Sequence, residues 1–385
     1  MVELRCDHNS QRELSNHSQL EYPNAKKILL LSPYDAMSHQ YWRKCLVSEI
    51  SAHDFTVVSL PARHFSWRFR GNSLSLAHDE HLDERYDLVI ATSITDLSAL
   101  VGMKSQLASV PAILYFHENQ FAFPERVAGL NKLDSIGRSH LVERQITSIY
   151  AAVSADRLVF NSEYNKFSFL SGADKLLQKM PDFVPSGLVA SLENKSQVIP
   201  VPLDKNCFQK NTASDRFKVV WNHRWEWDKG LTELKAIVHS LVESQLDFEF
   251  HLIGQQFENT ASEMTETVEL LKGKGHLGRV GFVESRQDYL ELLARSHCVL
   301  STAHHEFQGL AIMEAMASGC VPVVPDRLVY PEFIDQKLRY DCVEEAVEIL
   351  LILAESPDAP ADLSIETYSW QSQRQNWLHL IASVG

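Results

Sequence analysis

Short apolar runs alternate with helix-like stretches along nearly the whole chain, and that alternation leaves few folds open. Lys26–Ser32 (K-K-I-L-L-L-S) is the first run, bounded by lysines and a Pro, and it fits a buried parallel strand. A helix-like stretch follows over His39–Ser51. Thr56–Leu60, Leu88–Thr92, Ala112–Phe116 and Arg157–Asn161 are further strand candidates, each separated from the next by helical or loop sequence. The pattern restarts after Val198–Pro202 (V-I-P-V-P), with Lys218–Trp221, Glu249–Ile253, Val280–Phe282, Cys298–Ser301 and Val321–Val324 as its strands. Strands alternating with helices imply a doubly wound parallel sheet, and two rounds of the pattern imply two such sheets. The expected class is α/β, with two Rossmann-like domains facing a central cleft. The expected divisions are a mobile tail over residues 1–25, a first domain over 26–203 and a second over 204–365. The last segment, 366–385, is expected to carry a helix over Trp370–Ile381 that packs back across both domains.

A chain of 385 residues suits two domains of ordinary size. No apolar run approaches the ~20 residues that a membrane span needs, and the polar stretch Met1–Asn24 has no signal-peptide core. The six cysteines (Cys6, Cys45, Cys207, Cys298, Cys320, Cys342) are scattered without metal-ligand spacing. They read as reduced thiols of a cytoplasmic protein, and no metal site is expected. A net charge of −14 argues against indiscriminate nucleic-acid binding, though not against one local basic patch.

Two segments of the second half carry matching chemistry. In W-N-H-R-W-E-W-D-K-G (221–230), Arg224 and Lys229 follow a strand at its carboxyl end, where open α/β sheets bind ligands. An Arg fork and a Lys point charge together suit a diphosphate, and Gly230 would open a helix whose free N–H groups add to the anion site. The plainer reading of such a pair is a solvated charged loop. In H-H-E-F-Q-G-L-A-I-M-E-A-M-A-S-G-C (304–320), Glu306 sits at a strand's carboxyl end and Glu314 one turn into an apolar helix. A lone carboxylate there needs a polar partner. A ribose diol is one candidate, and a salt bridge to a neighbouring helix is the other. Gly319 reads as the residue that closes that helix.

Glu306 and Glu314 match the E-x7-E motif of retaining glycosyltransferases of the GT4 type, and Arg224 with Lys229 matches that group's diphosphate-binding pair. Six segments narrow the resemblance: L-P-A-R-H-F-S-W-R-F-R (60–70), L-Y-F-H-E-N-Q (114–120), V-F-N-S-E-Y-N (159–165), H-R-W-E-W-D-K (223–229), S-T-A-H-H-E-F-Q-G (301–309) and L-V-Y-P-E (328–332). As a set they resemble the glycosyltransferase-like family that includes the tRNA-queuosine mannosyltransferases, over about residues 27–380. The resemblance implies a GT-B fold, with the donor held by the second domain and the acceptor by the first. It gives Glu306 the donor-sugar hydroxyls and Glu314 the ribose. Gly254, Val283, Gln308, Gly309 and Leu310 would line the rest of the donor. Y-D-A-M-S-H (34–39) stands where the animal pattern has Gly-Gly-Ser-His, and Ser38 and His39 keep its donor-side positions.

The same resemblance makes His117 the cleft histidine beside the reacting sugar, although a hydrogen-bonded structural His is the commoner fate. Glu118, Asn119 and Asn161 are further acceptor-side candidates at strand ends, and Asn161 with Ser162 has an alternative role in capping the helix that begins near Glu163. The stretch Phe55–His78 contains no acid, yet holds Arg63, Arg68 and Arg70 with His64, Phe65, Trp67 and Phe69. Basic groups interleaved with aromatics can contact phosphates and stack unpaired bases, and the resemblance points them at an anticodon loop. The other reading is an amphipathic segment packed on the sheet with its arginines in solvent.

The expectation is therefore a retaining hexosyltransferase using a nucleotide sugar, GDP-mannose, and a tRNA that carries queuosine, without cofactor, metal or membrane. A glycan or lipid acceptor, or a non-catalytic nucleotide-sugar or tRNA-binding protein, are the competing expectations.

Overall fold

In the computed structural model, residues 25–122, 135–209, 216–256, 262–356 and 363–384 are described, so the expected tail over 1–25 lies almost wholly outside them. The first domain is built from strands β1 (Lys27–Asp35), β2 (Asp54–Pro61), β3 (Leu88–Thr92), β4 (Ala112–Phe116), β5 (Arg157–Phe160) and β6 (Ser196–Val198). Its helices are α1 (Met37–Glu49), α2 (Phe65–Leu76), α3 (Leu97–Met103), α4 (Ser135–Ser154), α5 (Glu163–Leu177) and α6 (Leu188–Asn194). The second domain contains β7 (Phe217–Trp221), β8 (Phe248–Ile253), β9 (Leu277–Gly281), β10 (Cys298–Leu300), β11 (Val321–Pro325) and β12 (Arg339–Tyr340). Between these strands run α7 (Leu231–Glu243), α8 (Ser262–Lys274), α9 (Arg286–Ala294), α10 (Leu310–Ala317) and α11 (Val343–Glu355), and α12 (Trp370–Ser383) ends the chain.

Each domain has one six-stranded sheet, ordered β2-β1-β3-β4-β5-β6 in the first and β12-β11-β10-β7-β8-β9 in the second. All the pairings are parallel. Strand order reverses between β1 and β3 in one sheet and between β7 and β10 in the other. At such a point the helices on either side leave to opposite faces, and a crevice opens at the strands' carboxyl ends. The central strands are apolar throughout because helices cover both their faces: every residue of β3, β4 and β11 is buried.

Edge strands depart from expectation. β6 ends at Val198, where the Val198–Pro202 segment starts, and the last strand of the second sheet is the two-residue β12. The expected strand at Val280–Phe282 is β9, which starts earlier, at Leu277. Its sequence, L-G-R-V-G, has no continuous apolar run because an edge strand is only partly covered.

The C-terminal helix corrects the expectation of packing across both domains. α12 belongs to the first domain's core, where Trp377, Leu378 and Ile381 pack with Trp42, Leu46, Ile113 and Tyr115. The Trp377 ring lies 5.8 Å from Trp42 and 5.5 Å from Tyr115, centroid to centroid. The crossing is made at the helix's first residue and the tight turn just before it. Leu203 N–H donates to Tyr368 O at 2.7 Å, and Trp370 N–H donates back to Leu203 O at 3.3 Å. The chain thus passes between domains twice, side by side.

The carboxyl ends of the two sheets face each other, and side chains span the gap. Ser162 Oγ donates to Phe307 O at 2.5 Å, and the Glu332 carboxylate accepts from the Glu163 and Tyr164 amides at the start of α5. Among the described residues no helix is long and apolar enough to cross a membrane.

Because Trp377 is fully buried against the first domain, Trp377→Ala should cost about 3–5 kcal/mol. Urea denaturation followed on the first domain should show that loss. An unchanged midpoint would mean α12 is a peripheral addition.

Candidate active site

The second domain's site forms where its strand order reverses. The loop after β7 runs from Asn222 to Gly230, and the loop after β10 runs from Ser301 to Gly309. They are locked together by backbone proximity. A Cβ on Gly230 would lie 2.0 Å from Thr302 O, and φ there is +69°. Thr302 Oγ1 donates to Lys229 O at 2.6 Å and accepts from Trp221 Nε1 at 3.1 Å.

This lock puts Lys229 and Glu306 together. Buried Lys229 donates to His305 O at 2.7 Å and to Glu306 Oε2 at 3.3 Å, with Asp228 Oδ2 also at 3.3 Å. Glu306 Oε1 accepts from the Phe307 and Gly309 amides, both at 3.2 Å. Burial alone would push the Glu306 pKa up, but Lys229, His223 and the Gly309 amide bring it down to about 2. The carboxylate is therefore ionised and can accept hydroxyl protons in hydrogen bonds, but it is not a proton donor at neutral pH. Arg224 is different: its side chain is 54% exposed and pairs with Glu226 Oε2 at 3.0 Å. Of the two expected diphosphate cations, one is fixed in the floor and the other stands in the cleft.

Gly309, at φ +77°, starts α10 without a side-chain cap, so the helix's first-turn N–H groups are available to an anion. α1 begins likewise at Ala36, with exposed Ser38 and buried His39 in its first turn. His223, which sequence reasoning passed over inside H-R-W-E, backs the pair. Its Nε2 is 2.9 Å from Ser301 Oγ, which is 2.7 Å from Tyr330 OH. Burial, with Lys229 adding to it, pushes the His223 pKa down to about 3.

Several expected donor contacts take other duties. Gln308 is committed to the interdomain linker: Oε1 accepts from Val201 N–H at 2.9 Å and Nε2 donates to Val201 O at 2.8 Å. Its side-chain amide is satisfied on both sides by that linker. Gly254 has a packing reason, since a Cβ there would lie 1.8 Å from His223 O. Val283 and Leu310 pack against the second domain's core. Glu314 is not a lone carboxylate. Arg286, at the start of α9, grips both its oxygens, and Tyr289 OH donates to Oε2 at 3.2 Å. The alternative of a salt bridge to a neighbouring helix is thus the one observed. Gly319, at φ +96°, does close α10.

In the first domain, His117 follows β4 and stacks on His39, with ring centroids 4.1 Å apart at 19°. Trp42 and Tyr115 meet its edges at 4.9 and 4.7 Å. Burial lowers the pKa of both imidazoles, and for His117 its neighbour His39 adds to that. Both are neutral rings, and among the described residues His117 Nε2 has no hydrogen-bond partner. Glu118 is partly exposed, with Oε2 3.9 Å from His39 Nε2. Asn119 and Asn161 both bond within the protein. Asn119 Nδ2 donates to Asn165 and Ser168 while its Oδ1 accepts the Phe121 and Ala122 amides. Asn161 donates to His117 O at 2.9 Å and accepts from Asn165 Nδ2 at 2.8 Å. Both build the strand ends rather than face a ligand. Ser162 caps α5, as its alternative role implied.

The acid-free stretch becomes the end of β2 and helix α2, which begins after His64 at φ +53°. Arg63, His64, Trp67 and Arg70 are exposed and Arg68 is half-buried. Phe65 meets Tyr34, at the end of β1, edge-on at 5.3 Å. The guanidinium of Arg144, from α4, lies 5.8 Å from the Phe65 ring centre. Arg70 Nη1 donates to Thr147 Oγ1 at 2.8 Å. The basic and aromatic groups thus stand at the first sheet's carboxyl edge, beside the cleft. Tyr34 and Arg144 join them through spatial contacts that no local motif announces.

Among the described residues, no group of three or more His, Cys, Asp or Glu side chains gathers as a metal site, and five cysteines are free.

Comparison with known proteins follows this geometry. Residues 27–203 match the family model "tRNA-queuosine alpha-mannosyltransferase N-terminal", and residues 204–359 match "Glycosyl transferases group 1". The chain is 32% identical over 325 residues to the tRNA-queuosine alpha-mannosyltransferase of Drosophila melanogaster, covering 82% of this chain and 83% of that one. It is 20% identical over 186 residues to a GDP-mannose:cellobiosyl-diphosphopolyprenol alpha-mannosyltransferase of Xanthomonas oryzae pv. oryzae, covering 47% of this chain and 48% of that one. In fold it resembles Anabaena HepE in complex with UDP and glucose (TM-score 0.65, 14% identity, 93% of this chain and 100% of that one). A similar likeness holds to sucrose-phosphate synthase of Thermosynechococcus elongatus (TM-score 0.66, 12% identity, 93% and 100%).

A group whose folded pKa lies below its unfolded value stabilises the fold above the unfolded value, and loses that contribution as pH falls through the folded one. His223 moves from 6.5 to about 3 and Glu306 from 4.5 to about 2, so both act in the same direction. Unfolding free energy should therefore decline as pH falls from 6.5 towards 3. His223→Asn should flatten the upper part of that decline in urea titrations at successive pH values. An unaltered slope in that variant would remove His223 from the account.

Proposed function

Given that the chain belongs to the tRNA-queuosine alpha-mannosyltransferase family and is a glycosyltransferase of the GT-B fold, we propose that it moves mannose from GDP-mannose, with retention, onto the cyclopentenediol of queuosine at a tRNA wobble position. The observation that carries this reading is the Lys229–Glu306 pair beside the uncapped start of α10. It supplies positive charge and hydroxyl recognition within one ligand's reach. The Drosophila relative, by its name, acts on tRNA-queuosine, and the Xanthomonas relative, by its name, uses GDP-mannose. The exposed Arg63, His64, Trp67 and Arg70 fit an anticodon loop, offering cations to phosphates and a ring to an unpaired base.

In the reaction the acceptor oxygen bonds to the sugar's anomeric carbon while the bond from that carbon to the β-phosphate oxygen breaks. The acceptor's proton passes to the departing phosphate on the same face. Negative charge grows on that phosphate, and Lys229, Arg224 and the α10 amides are in place before it does so. Ionised Glu306 orients sugar hydroxyls. His117, being neutral, offers a polar edge to the sugar without repelling a cationic transition state. With this charge supplied by the chain, the reading needs neither metal nor cofactor. A tRNA acceptor places the reaction in the cytoplasm.

The test is transfer of radiolabelled mannose from GDP-mannose to total tRNA from queuosine-containing cells and from cells lacking queuosine. Label is expected in the first pool alone, and label in neither would end this donor–acceptor pairing. Lys229→Ala and Glu306→Gln should each lower turnover on the order of 10²–10³-fold, the usual effect of removing a transition-state contact. Turnover near wild type in either would displace the site. EDTA should leave the rate unchanged at saturating donor, and a strong loss would restore a metal requirement.

A further inference from the structure

Glu314 and its partners form a site that the diphosphate and sugar leave unused. Glu314 is the fifth residue of α10, about 6 Å along the axis from the helix's first residue at 1.5 Å per residue. If the diphosphate sits on the α10 amides, as the proposed function requires, the nucleoside lies further on, towards Glu314 and the α9 residue that grips it.

That residue, Arg286, is held in an unusual way. Its Nη1 donates to Glu314 Oε2 at 3.1 Å, and its Nη2 donates to Glu314 Oε1 at 2.5 Å and to Cys207 Sγ at 3.2 Å. The guanidinium carbon lies 5.1 Å from the Tyr289 ring centre, and Tyr289 is itself fixed by Asn222 Nδ2 at 3.1 Å. The in-plane fork is thus occupied and one face rests on a ring, yet the Arg286 side chain remains 47% exposed. An ion pair that served stability alone would gain little from so open a cation. What it leaves open is a flat, rigid, positively charged face beside the expected ribose position.

We infer that Arg286 is the shelf on which the donor's nucleobase stacks, held flat by Glu314 and backed by Tyr289. A guanidinium plane stacks on aromatic faces, and every base offers one. Because three of its five N–H groups are held in plane by Glu314 and Cys207, the open face reads the area of a stacked ring and favours a purine over a pyrimidine. Glu314 thereby holds the shelf as well as any ribose hydroxyl, since a carboxylate has about four acceptor positions and only three are taken.

Calorimetric titration of GDP, UDP and ribose 5-diphosphate into the wild type, Arg286→Gln and Arg286→Lys tests this without requiring any transfer. The wild type should bind GDP more tightly than UDP, and both more tightly than the base-free ligand. Arg286→Gln should weaken GDP by about 5- to 150-fold, the range for one stacked base, and ribose 5-diphosphate far less. Arg286→Lys keeps the charge beside Glu314 but has no plane, so it should lose the base-dependent gain as the Gln variant does. Equal losses for all three ligands, with rescue by Lys, would make Arg286 a mere holder of Glu314 and overturn the shelf. A wild type that prefers UDP would overturn it too. A wild type that binds none of the three would remove the donor site itself, and the inference with it.

Discussion

The buried ion pair between Lys229 and Glu306 is the constraint around which the second domain's cleft is arranged. Two opposite charges can be kept from water only if every remaining valence is met. The structure meets them with the His305 carbonyl, the Asp228 carboxylate and the Phe307 and Gly309 amides. Those contacts require the loops after β7 and β10 to lie in backbone contact, and that contact excludes a side chain at position 230. Behind the pair His223, Ser301 and Tyr330 form a hydrogen-bonded chain in which burial keeps the imidazole neutral. Remove the pair and the geometry of both loops loses its reason.

A division of electrical labour runs through the cleft. The whole chain carries −14, yet both proposed substrates are polyanions. The second domain offers Lys229, Arg224 and a helix start, and the first offers an arginine-bearing helix without a nearby acid in sequence. Between them, at the end of β4, lie two stacked imidazoles that burial keeps neutral. The neutral imidazoles do not repel either anionic substrate, and Lys229 and Arg224, each already beside a carboxylate, are the cations a phosphate would share.

Most of this was legible in sequence where burial is complete. Central strands such as Leu88–Thr92 and Ala112–Phe116 read true because helices cover both faces and select apolar residues at every position. β6, β9 and β12 were missed or shifted because edge strands face only part of that selection. Lys229 and Glu306 were each singled out at a strand's carboxyl end, but their contact with one another was not legible, because it joins two loops 77 positions apart. The roles of Asn119, Asn161 and Gln308 were not legible either, since a polar amide serves a backbone as readily as a ligand. The choice depends on whether a carbonyl from a distant segment arrives, as Val201 does for Gln308. Glu314 was ambiguous for the same reason: its partner Arg286 lies 28 positions away in sequence and meets it only once α9 has packed beside α10.

Glu332 has a consequence that reaches across the cleft. It reaches from the second domain to accept the first two amides of α5, the bonds that a bound phosphate would otherwise take. The protein thereby carries its own counter-anion, a tethered plug in one of the helix ends that open towards the gap. α1, α7 and α10 have no side-chain cap and remain as receptors. In a cleft lined with helix starts, where a strand of phosphates could settle in several registers, filling one seat from within removes one of those registers. Selectivity here would then come partly from a vacancy the protein has declined to leave.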